Sequence, residues 1–334
     1  MTHTQNKDEI EEFPSDWLVT GGQGDFSQMR DGYMLEMKPN RMWRPFLGGK
    51  MLDELSEIVP ATDGHYPERW ICSTTAASDG TGISITQDGR RLTEYVEKPL
   101  PVLVKLLDSY SRLMIQVHPD DRRAAEYFHS LKGKAECWHI LGTRKVNGEE
   151  PYVYLGFKEG ITKEKWRDLF EKQDVRGMEE SLHKILVHPG DTFFIPGGVP
   201  HAMGSGVYFA EVQQPTDITL RTERISPAGE TMSDEALHGG AGWAALFHCF
   251  DYNGCSLGET LEKYQILSKG ELVIQNKYFT MEKIYCAADR IITTDGWKIA
   301  IVLDGPEKGK EYFLTGDSQF KAGQTVLLCS QGRE

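Results

Sequence analysis

The sequence predicts a mainly β fold, a barrel or jelly roll that carries a small helical insertion. Short segments in which apolar and polar residues alternate run through most of the chain, for example YMLEMKP (33–39), LVKLLD (103–108) and CWHIL (137–141). The 34 glycines and the 10% aromatic content are typical of tight turns between packed strands. Helical periodicity is limited to a few short stretches that have strands on both sides, which favours a β barrel decorated by helices.

The predicted elements follow one another in a simple order. A strand at 33–39 precedes a helix at 50–58, and strands at 83–87, 103–108 and 113–118 lead to a helix at 121–131, which Asp120 or Asp121 can cap. After the 137–141 strand we expect helices at 163–173 and 177–182. Further strands are expected within 184–196, 207–224, 271–285 and 298–305.

These elements suggest three parts. We expect a flexible N-terminus at 1–15, a catalytic domain at 16–250 with helical insertions around 121–131 and 162–184, and a C-terminal β domain at 255–334. HPGDTFFIP (188–196) aligns without gaps with KAGQTVLLC (321–329). This match reflects either a common hairpin turn or two related barrel halves; the second half has few candidate ligands, so we interpret it as structural.

Composition excludes several classes of partner. A formal charge of -13 over 334 residues disfavours nucleic acid, and we find no local basic patch. The N-terminus lacks the pattern of a secretory signal, and no run of about 18 apolar residues indicates a membrane span. Six scattered cysteines without a disulfide framework indicate reduced thiols, so a cytoplasmic protein is expected. The oligomeric state is left open.

Four separated side chains form a candidate metal site. Gln116 and His118 are two residues apart in LMIQVHPDD, so a strand places both on one face. Glu136 in AECWHI and His201 in IPGGVPHAMGSG could complete the set. A lone histidine or a buried glutamine is more often structural, but a carboxylate beside core residues is costly unless it binds a cation. Two nitrogen and two oxygen ligands suit a divalent transition metal, most plausibly zinc.

A second polar cluster lies in FAEVQQPTDITLRTER. Alternation puts Glu211, Gln213, Asp217, Thr219 and Arg221 on one side of a strand. That side faces either solvent or a polar cavity. Lys134 shares the face of Glu136 if the strand begins early enough; otherwise it is an ordinary exposed lysine.

Five ordered motifs resemble one family, the type I mannose-6-phosphate isomerases, which are zinc-dependent enzymes of the cupin fold. The motifs are PERWICS (67–73), PVLVKLLDSYSRLMIQVHPDD (101–121), GKAECWHI (133–140), PGDTFFIPGGVPHAMGSG (189–206) and EVQQPTDITLR (211–221). They span about half of the chain, and the compact length resembles the short bacterial branch. The resemblance implies a cupin-type jelly roll, with a degenerate cupin-like C-terminal domain.

The resemblance also implies roles for residues. Gln116, His118, Glu136 and His201 match the family's ligands for one zinc ion, while Lys105, Lys134, Asp217 and Arg221 match its polar active-site residues; Glu211 lies on the same motif. The family interconverts mannose 6-phosphate and fructose 6-phosphate through a cis-enediol that the metal stabilises.

The chemistry suits these residues. Arg221 and Lys134 can stabilise the developing negative charge. Glu211 or Asp217 can carry the proton, and Lys134 is a third candidate. Lys105 or Arg221 can bind the phosphate of a sugar-phosphate substrate.

Two regions depart from the family pattern. Leu220, Thr222 and Glu223 replace an aromatic residue before Arg221 and a Tyr-Asp pair after it, and RMWRPFLGGKML (41–52) replaces a shorter WGG arrangement. Three alternatives therefore stay open: a cupin acting on another, unphosphorylated sugar, an iron cupin that activates oxygen, and a non-catalytic sugar-binding cupin. Iron sites favour more histidines than this set offers, and a pure binder does not need Lys134, Asp217 and Arg221.

Overall fold

The computed structural model describes residues 33–77 and 79–333, so the predicted flexible segment 1–15 lies outside the described residues. The strands of the described residues are β1 (Met34–Glu36), β2 (Arg41–Met42), β3 (Glu68–Ile71), β4 (Leu103–Asp108), β5 (Gln116–Val117), β6 (Glu136–Thr143), β7 (Tyr152–Phe157), β8 (Leu182–Leu186), β9 (Thr192–Ile195), β10 (His201–Met203), β11 (Val207–Gln213), β12 (Leu220–Arg221), β13 (Leu272–Gln275), β14 (Phe279–Tyr285), β15 (Arg290–Ile292), β16 (Lys298–Asp304), β17 (Glu311–Leu314), β18 (Ser318–Phe320) and β19 (Thr325–Gln331). The helices are α1 (Lys50–Leu55), α2 (Asp121–Phe128), α3 (Lys163–Lys172), α4 (Val175–Glu180), α5 (Asp234–His238), α6 (Gly242–His248) and α7 (Leu257–Tyr264). The predicted mainly β fold with helical insertions is confirmed.

Two antiparallel sheets form the first β structure. One has the strand order β2-β3-β4-β11-β6-β9 and the other has the order β12-β5-β10-β7-β8. Buried residues from both sheets form one core, among them Trp138 and Phe209 from the first sheet and Val153, Leu155 and Met203 from the second. The two sheets therefore face each other, and burial of their inner apolar faces stabilises the arrangement.

A third sheet packs on the outside of the first. Its order is β1-β17-β16-β19-β14-β13. Val104 and Leu106 of β4 share a core with Phe279 of β14, Ile301 of β16 and Phe313 of β17. Because side chains alternate along a strand, β4 buries Val104 and Leu106 against this sheet and turns Lys105 to the other side. The C-terminal sheet thus supports the back of the strands that carry the site.

The first described strand does not follow the predicted domain boundary. The sequence places 33–39 in the 16–250 domain, yet β1 pairs with β17, with Met34 opposite Leu314. This pairing joins distant parts of the chain and depends on the exposed edge of the C-terminal sheet, which no local pattern reveals. The expected strand at 83–87 is also wrong, because Ile85 and Thr86 make only isolated bridges.

Several helical predictions need correction at their ends or by addition. Helix α1 ends at Leu55, not at residue 58, and the expected helix at 177–182 runs instead over Val175–Glu180. Helices α5 and α6 lie between 234 and 248, where no helix is predicted, since glycines at 239, 240 and 242 interrupt the periodic pattern. Their apolar residues, such as Leu237 and Phe247, share a core with Trp166 and Phe170 of α3.

Among the described residues, no helix is both long and apolar enough to cross a membrane.

Candidate metal centre and its pocket

Three neighbouring strands bring the predicted ligands together. His201 opens β10 and lies opposite Gln116 of β5 in the antiparallel ladder. His118 follows β5 directly, and Glu136 is the first residue of β6 in the facing sheet. The site therefore lies between the two sheets at the end where these strands begin or stop.

The ligand atoms form a compact group. His118 Nε2 is 3.2 Å from Glu136 Oε2, and His201 Nε2 is 3.3 Å from Glu136 Oε1. The two imidazole Nε2 atoms are 3.2 Å apart. The amide nitrogen of Gln116 lies 3.2 Å from His201 Nε2, so a half-turn of this amide directs its oxygen to the same point.

Backbone carbonyls set the orientation of both histidines. His118 Nδ1 donates to the carbonyl of Ile218 at 2.9 Å, and His201 Nδ1 donates to the carbonyl of Val199 at 2.8 Å. These bonds leave each Nε2 as a lone pair that points to the centre. Burial lowers the pKa of His118 to about 3, with Lys134 adding to the effect, and burial also lowers the pKa of His201. Both imidazoles are thus neutral, as metal ligands must be.

The Glu136 carboxylate lacks ordinary hydrogen-bond partners. It is fully buried, and neither oxygen accepts a well-aligned hydrogen bond, although Lys134 Nζ lies at ion-pair distance, 2.9 Å from Oε2. Burial acts to raise the pKa of Glu136, but the positive charge of Lys134 opposes it most strongly, and the pKa is held well below its usual range. An orphaned, ionised carboxylate beside two neutral imidazoles fits a divalent cation.

A charged pocket adjoins this centre and includes Gln116 in its wall. Its other charged and polar lining residues are Arg44, Glu68, Lys105, Lys134, Glu211, Asp217, Thr219 and Arg221. The chain leaves strand geometry after Gln213, so Asp217 and Thr219 reach the pocket from a loop and not from one continuous strand as predicted. Gln213 does not line the pocket; its amide donates to the carbonyls of Gln214 and Thr216.

Lys105 links the two acidic candidates of this pocket. Its Nζ lies 3.2 Å from Glu211 Oε1 and 3.6 Å from Asp217 Oδ1. Burial raises the pKa of Glu211, and the nearby Glu136 raises it further against the opposing effect of Lys105. Burial also acts to raise the pKa of Asp217, but Lys105 and Arg44 outweigh it and the pKa is lowered. The two carboxyl groups therefore differ in acidity.

The positive charge of Arg221 has no carboxylate at ion-pair distance among the described residues. It pairs with Gln116 in the β5–β12 ladder, which places it beside the metal centre. One guanidinium nitrogen, Nη1, donates to the carbonyls of Thr219 and Ala236. Burial lowers the pKa of Arg221, and Asp217 opposes this shift. A half-buried guanidinium of this kind is well placed to interact with an anionic group in the pocket.

Two pocket residues were not among the predicted site residues. Arg44 Nε lies 3.0 Å from Glu68 Oε2, and Arg44 Nη2 lies 3.5 Å from Asp217 Oδ2. Glu68 also accepts a hydrogen bond from the indole of Trp70 at 3.0 Å. The motifs PERWICS and RMWRPFLGGKML contain these residues, and a charge placed between aromatic residues in each was the signal available in the sequence.

Curated relatives match part of the chain. It is 36% identical over 121 residues to the mannose-6-phosphate isomerase ManA of Bacillus subtilis, a match that covers 36% of each chain. It is 34% identical over 138 residues to the mannose-6-phosphate isomerase of Streptococcus mutans, covering 41% of each. The chain thus matches less than half of the length of these relatives. No family model matches the chain.

Solved structures share the fold over nearly the whole chain. The mannose 6-phosphate isomerase of Bacillus subtilis superposes with a TM-score of 0.67 at 22% identity, covering 89% of this chain and 99% of its own. A mannose 6-phosphate isomerase bound with zinc and yttrium superposes with a TM-score of 0.61 at 15% identity, with the same coverage. In sequence over less than half of its length and in fold over most of it, the chain is similar to the mannose-6-phosphate isomerases of the cupin fold, which confirms the resemblance inferred from its motifs.

Proposed function

We propose that the protein is a zinc-dependent isomerase that interconverts mannose 6-phosphate and fructose 6-phosphate. The observation that carries this proposal is the buried group of His118, Glu136 and His201 beside a pocket of paired charges. The similarity to relatives with this name supports the same reaction class.

Zinc fits the donor set better than other common divalent ions. Gln116, His118, Glu136 and His201 would hold it, and two imidazoles with oxygen donors are typical of zinc sites. A bound zinc ion would act as a Lewis acid that polarises the carbonyl of the open-chain sugar. The neighbour whose structure contains zinc supports this assignment.

Glu211 is the strongest candidate for the group that moves the proton. Isomerisation removes a proton from one carbon and returns it to the adjacent one, so the carrier has to alternate between its charged and neutral forms. Burial raises the pKa of Glu211, which favours such an exchange, whereas the pKa of Asp217 is lowered. We infer that Asp217 instead orients Lys105, whose Nζ lies 3.6 Å away.

Lys134 and Arg221 would stabilise negative charge on the substrate. The Lys134 ammonium lies 2.9 Å from both Glu136 Oε2 and His118 Nε2, at the edge of the metal centre. Arg221 lies on the adjoining strand beside Gln116. Both cations are thus close to the point where the carbonyl oxygen gains charge during the reaction, where preorganised donors are most effective.

Turnover and metal content test this proposal together. We expect the purified protein to contain about one zinc ion per chain by elemental analysis, to convert mannose 6-phosphate to fructose 6-phosphate, and to lose this activity on chelation. Unphosphorylated mannose is assayed in parallel. Activity that survives removal of the metal contradicts the zinc mechanism. Turnover of mannose but not of its phosphate favours the alternative substrate, and binding without turnover favours a sugar-binding cupin.

The proposal also assigns different roles to the two parts of the chain. We assign catalysis to 16–250 and support to 255–334, since every residue of the metal centre and its pocket lies before 222 within the described residues. A cytoplasmic location suits an enzyme of sugar phosphates whose cysteines form no disulfide framework in the sequence.

A further inference from the structure

We propose that Arg44 selects phosphorylated sugars by binding the phosphate group in the pocket. This inference rests on the proposed function and names the residue that recognises the anionic end of the substrate. Arg44 belongs to RMWRPFLGGKML, the segment in which this chain departs from the shorter family arrangement.

The Arg44 side chain does not contact the metal centre. It enters the pocket from the segment between β2 and α1, and its guanidinium carbon lies 5.4 Å from the centre of the Trp70 ring. Its polar contacts are with Glu68, Asp217 and the carbonyl of Trp43, none of which is a metal-ligand candidate. An anion held by Arg44 would therefore not compete with the metal for its candidate ligands.

The other pocket cations lie at the metal centre or between two carboxylates. Lys134 contacts Glu136 and His118 at the metal centre, and Arg221 lies beside Gln116. Lys105 has a side chain only 3% exposed and lies between two carboxylates. In a hexose 6-phosphate the phosphate is at the opposite end of the carbon chain from the carbonyl. A cation that contacts none of the candidate metal ligands suits this end of the substrate, and Arg44 meets this condition.

The contacts of Arg44 leave room for a phosphate. Nε makes a close pair with Glu68 at 3.0 Å, which anchors the side chain. Nη2 reaches Asp217 only at 3.5 Å, and the Asp217 side chain is 28% exposed. A phosphate can form shorter, charge-assisted bonds to the Nη edge while the Glu68 pair stays in place. Asp217 then remains paired with Lys105.

The test compares Arg44→Met with a matched control. Arg41→Met removes a guanidinium from the same segment, one that pairs with Asp53 and does not line the pocket. We expect Arg44→Met to raise KM for mannose 6-phosphate by about 10- to 100-fold, the usual worth of a charged hydrogen bond, with a much smaller change in kcat. Inhibition by inorganic phosphate should weaken by a similar factor, and Arg41→Met should leave both constants near the wild-type values.

Arg44→Lys is a second, more conservative variant that tests the proposal even if Arg44→Met does not fold. It keeps a cation beside Glu68 but loses the planar guanidinium, so we expect an intermediate rise in KM. The midpoint of thermal unfolding and the metal content are measured for every variant. A purely structural role would lower kcat and metal content and leave phosphate inhibition unchanged, which would overturn the assignment.

The outcomes separate this inference from the proposed function. If the wild-type protein turns over no hexose phosphate, the proposed function is wrong. If it turns over mannose 6-phosphate while Arg44→Met keeps the wild-type KM and phosphate inhibition, the isomerase stands and only the role of Arg44 is wrong.

Discussion

Glu211 and Asp217 line the same pocket, and their surroundings shift their pKa values in opposite directions. Both are close to Lys105, yet Asp217 also meets Arg44, whereas Glu211 is near the ionised Glu136. The extra cation stabilises the charged form of Asp217, and the extra anion destabilises that of Glu211. At the residue scale, this difference favours Glu211 as the proton carrier.

We therefore expect Glu211→Gln to lower kcat by about 10²- to 10⁴-fold, the usual contribution of general acid–base catalysis, while the zinc content stays unchanged. Asp217→Asn is the comparison, because it removes a charge from the same pocket. We expect it to have the smaller effect on kcat. Steady-state kinetics and elemental analysis of both variants provide the measurement. A larger fall in kcat for Asp217→Asn would instead identify Asp217 as the proton carrier.

At the scale of elements, two glycines allow the ligand-bearing segments to approach closely. A Cβ on Gly197 would lie 2.5 Å from the backbone nitrogen of Asp120, and one on Gly133 would lie 2.5 Å from the carbonyl oxygen of Pro119. The backbone after His118 is thus packed between the segments that lead to Lys134 and His201. Hydrogen bonds from Gly198 to the His118 carbonyl and from Lys134 to the Pro119 carbonyl hold the three segments together.

Gly197→Ala should push these segments apart. We expect it to cost about 1–3 kcal/mol of stability through backbone displacement and to weaken zinc binding by about tenfold or more, because ligand positions shift. Gly258→Ala is the control, since Gly258 is exposed and its Cβ would contact nothing within 4 Å. Urea unfolding and competition with a zinc chelator measure the two effects. Equal zinc affinity in Gly197→Ala and wild type would argue against this packing role.

At the scale of the whole molecule, a buried pair of charged residues joins the strands that carry the candidate site to the C-terminal sheet. Arg69 Nε of β3 lies 3.4 Å from Glu311 Oε2 of β17, with side chains 1% and 0% exposed. Alternation along β3 turns Glu68 and Trp70 to the pocket and Arg69 to the other sheet. Burial raises the pKa of Glu311 to about 7 despite the opposing effect of Arg69.

This raised pKa gives stability a defined dependence on pH. Between the ordinary carboxyl pKa and about 7, the folded protein keeps a proton on Glu311 that the unfolded chain has released, so stability falls as pH rises through this range. From pH 5 to pH 7 we expect wild type to lose about 2 kcal/mol relative to Glu311→Gln, which cannot titrate here. Urea unfolding at several pH values measures the difference. Glu262→Gln, on the exposed part of α7, is the control and should follow wild type. A gap between Glu311→Gln and wild type that stays constant from pH 5 to pH 8 would refute this interpretation.

Local patterns predicted much of the β architecture and the types of residue at the site. Strand β4 coincides with the alternating segment LVKLLD, and β6 contains CWHIL. The predicted ligand residues lie together, because their motifs flank strands that pair in the barrel. Arg44 and Glu68 were not predicted, because no local pattern shows that these two segments meet at a pocket formed by distant parts of the chain.

By itself the sequence determined the mainly β character of the protein, the helices that begin at residues 121 and 163, and the candidate ligands. Periodicity, capping and the chemistry of imidazole and carboxylate groups act over short stretches of chain, so they can be read locally. Only the tertiary structure decided that β1 joins the C-terminal sheet, that Arg44 shares Asp217 with Lys105, and that Glu311 is buried against Arg69. Each of these depends on contacts between residues far apart in sequence, where burial and neighbouring charges set the energy of a group.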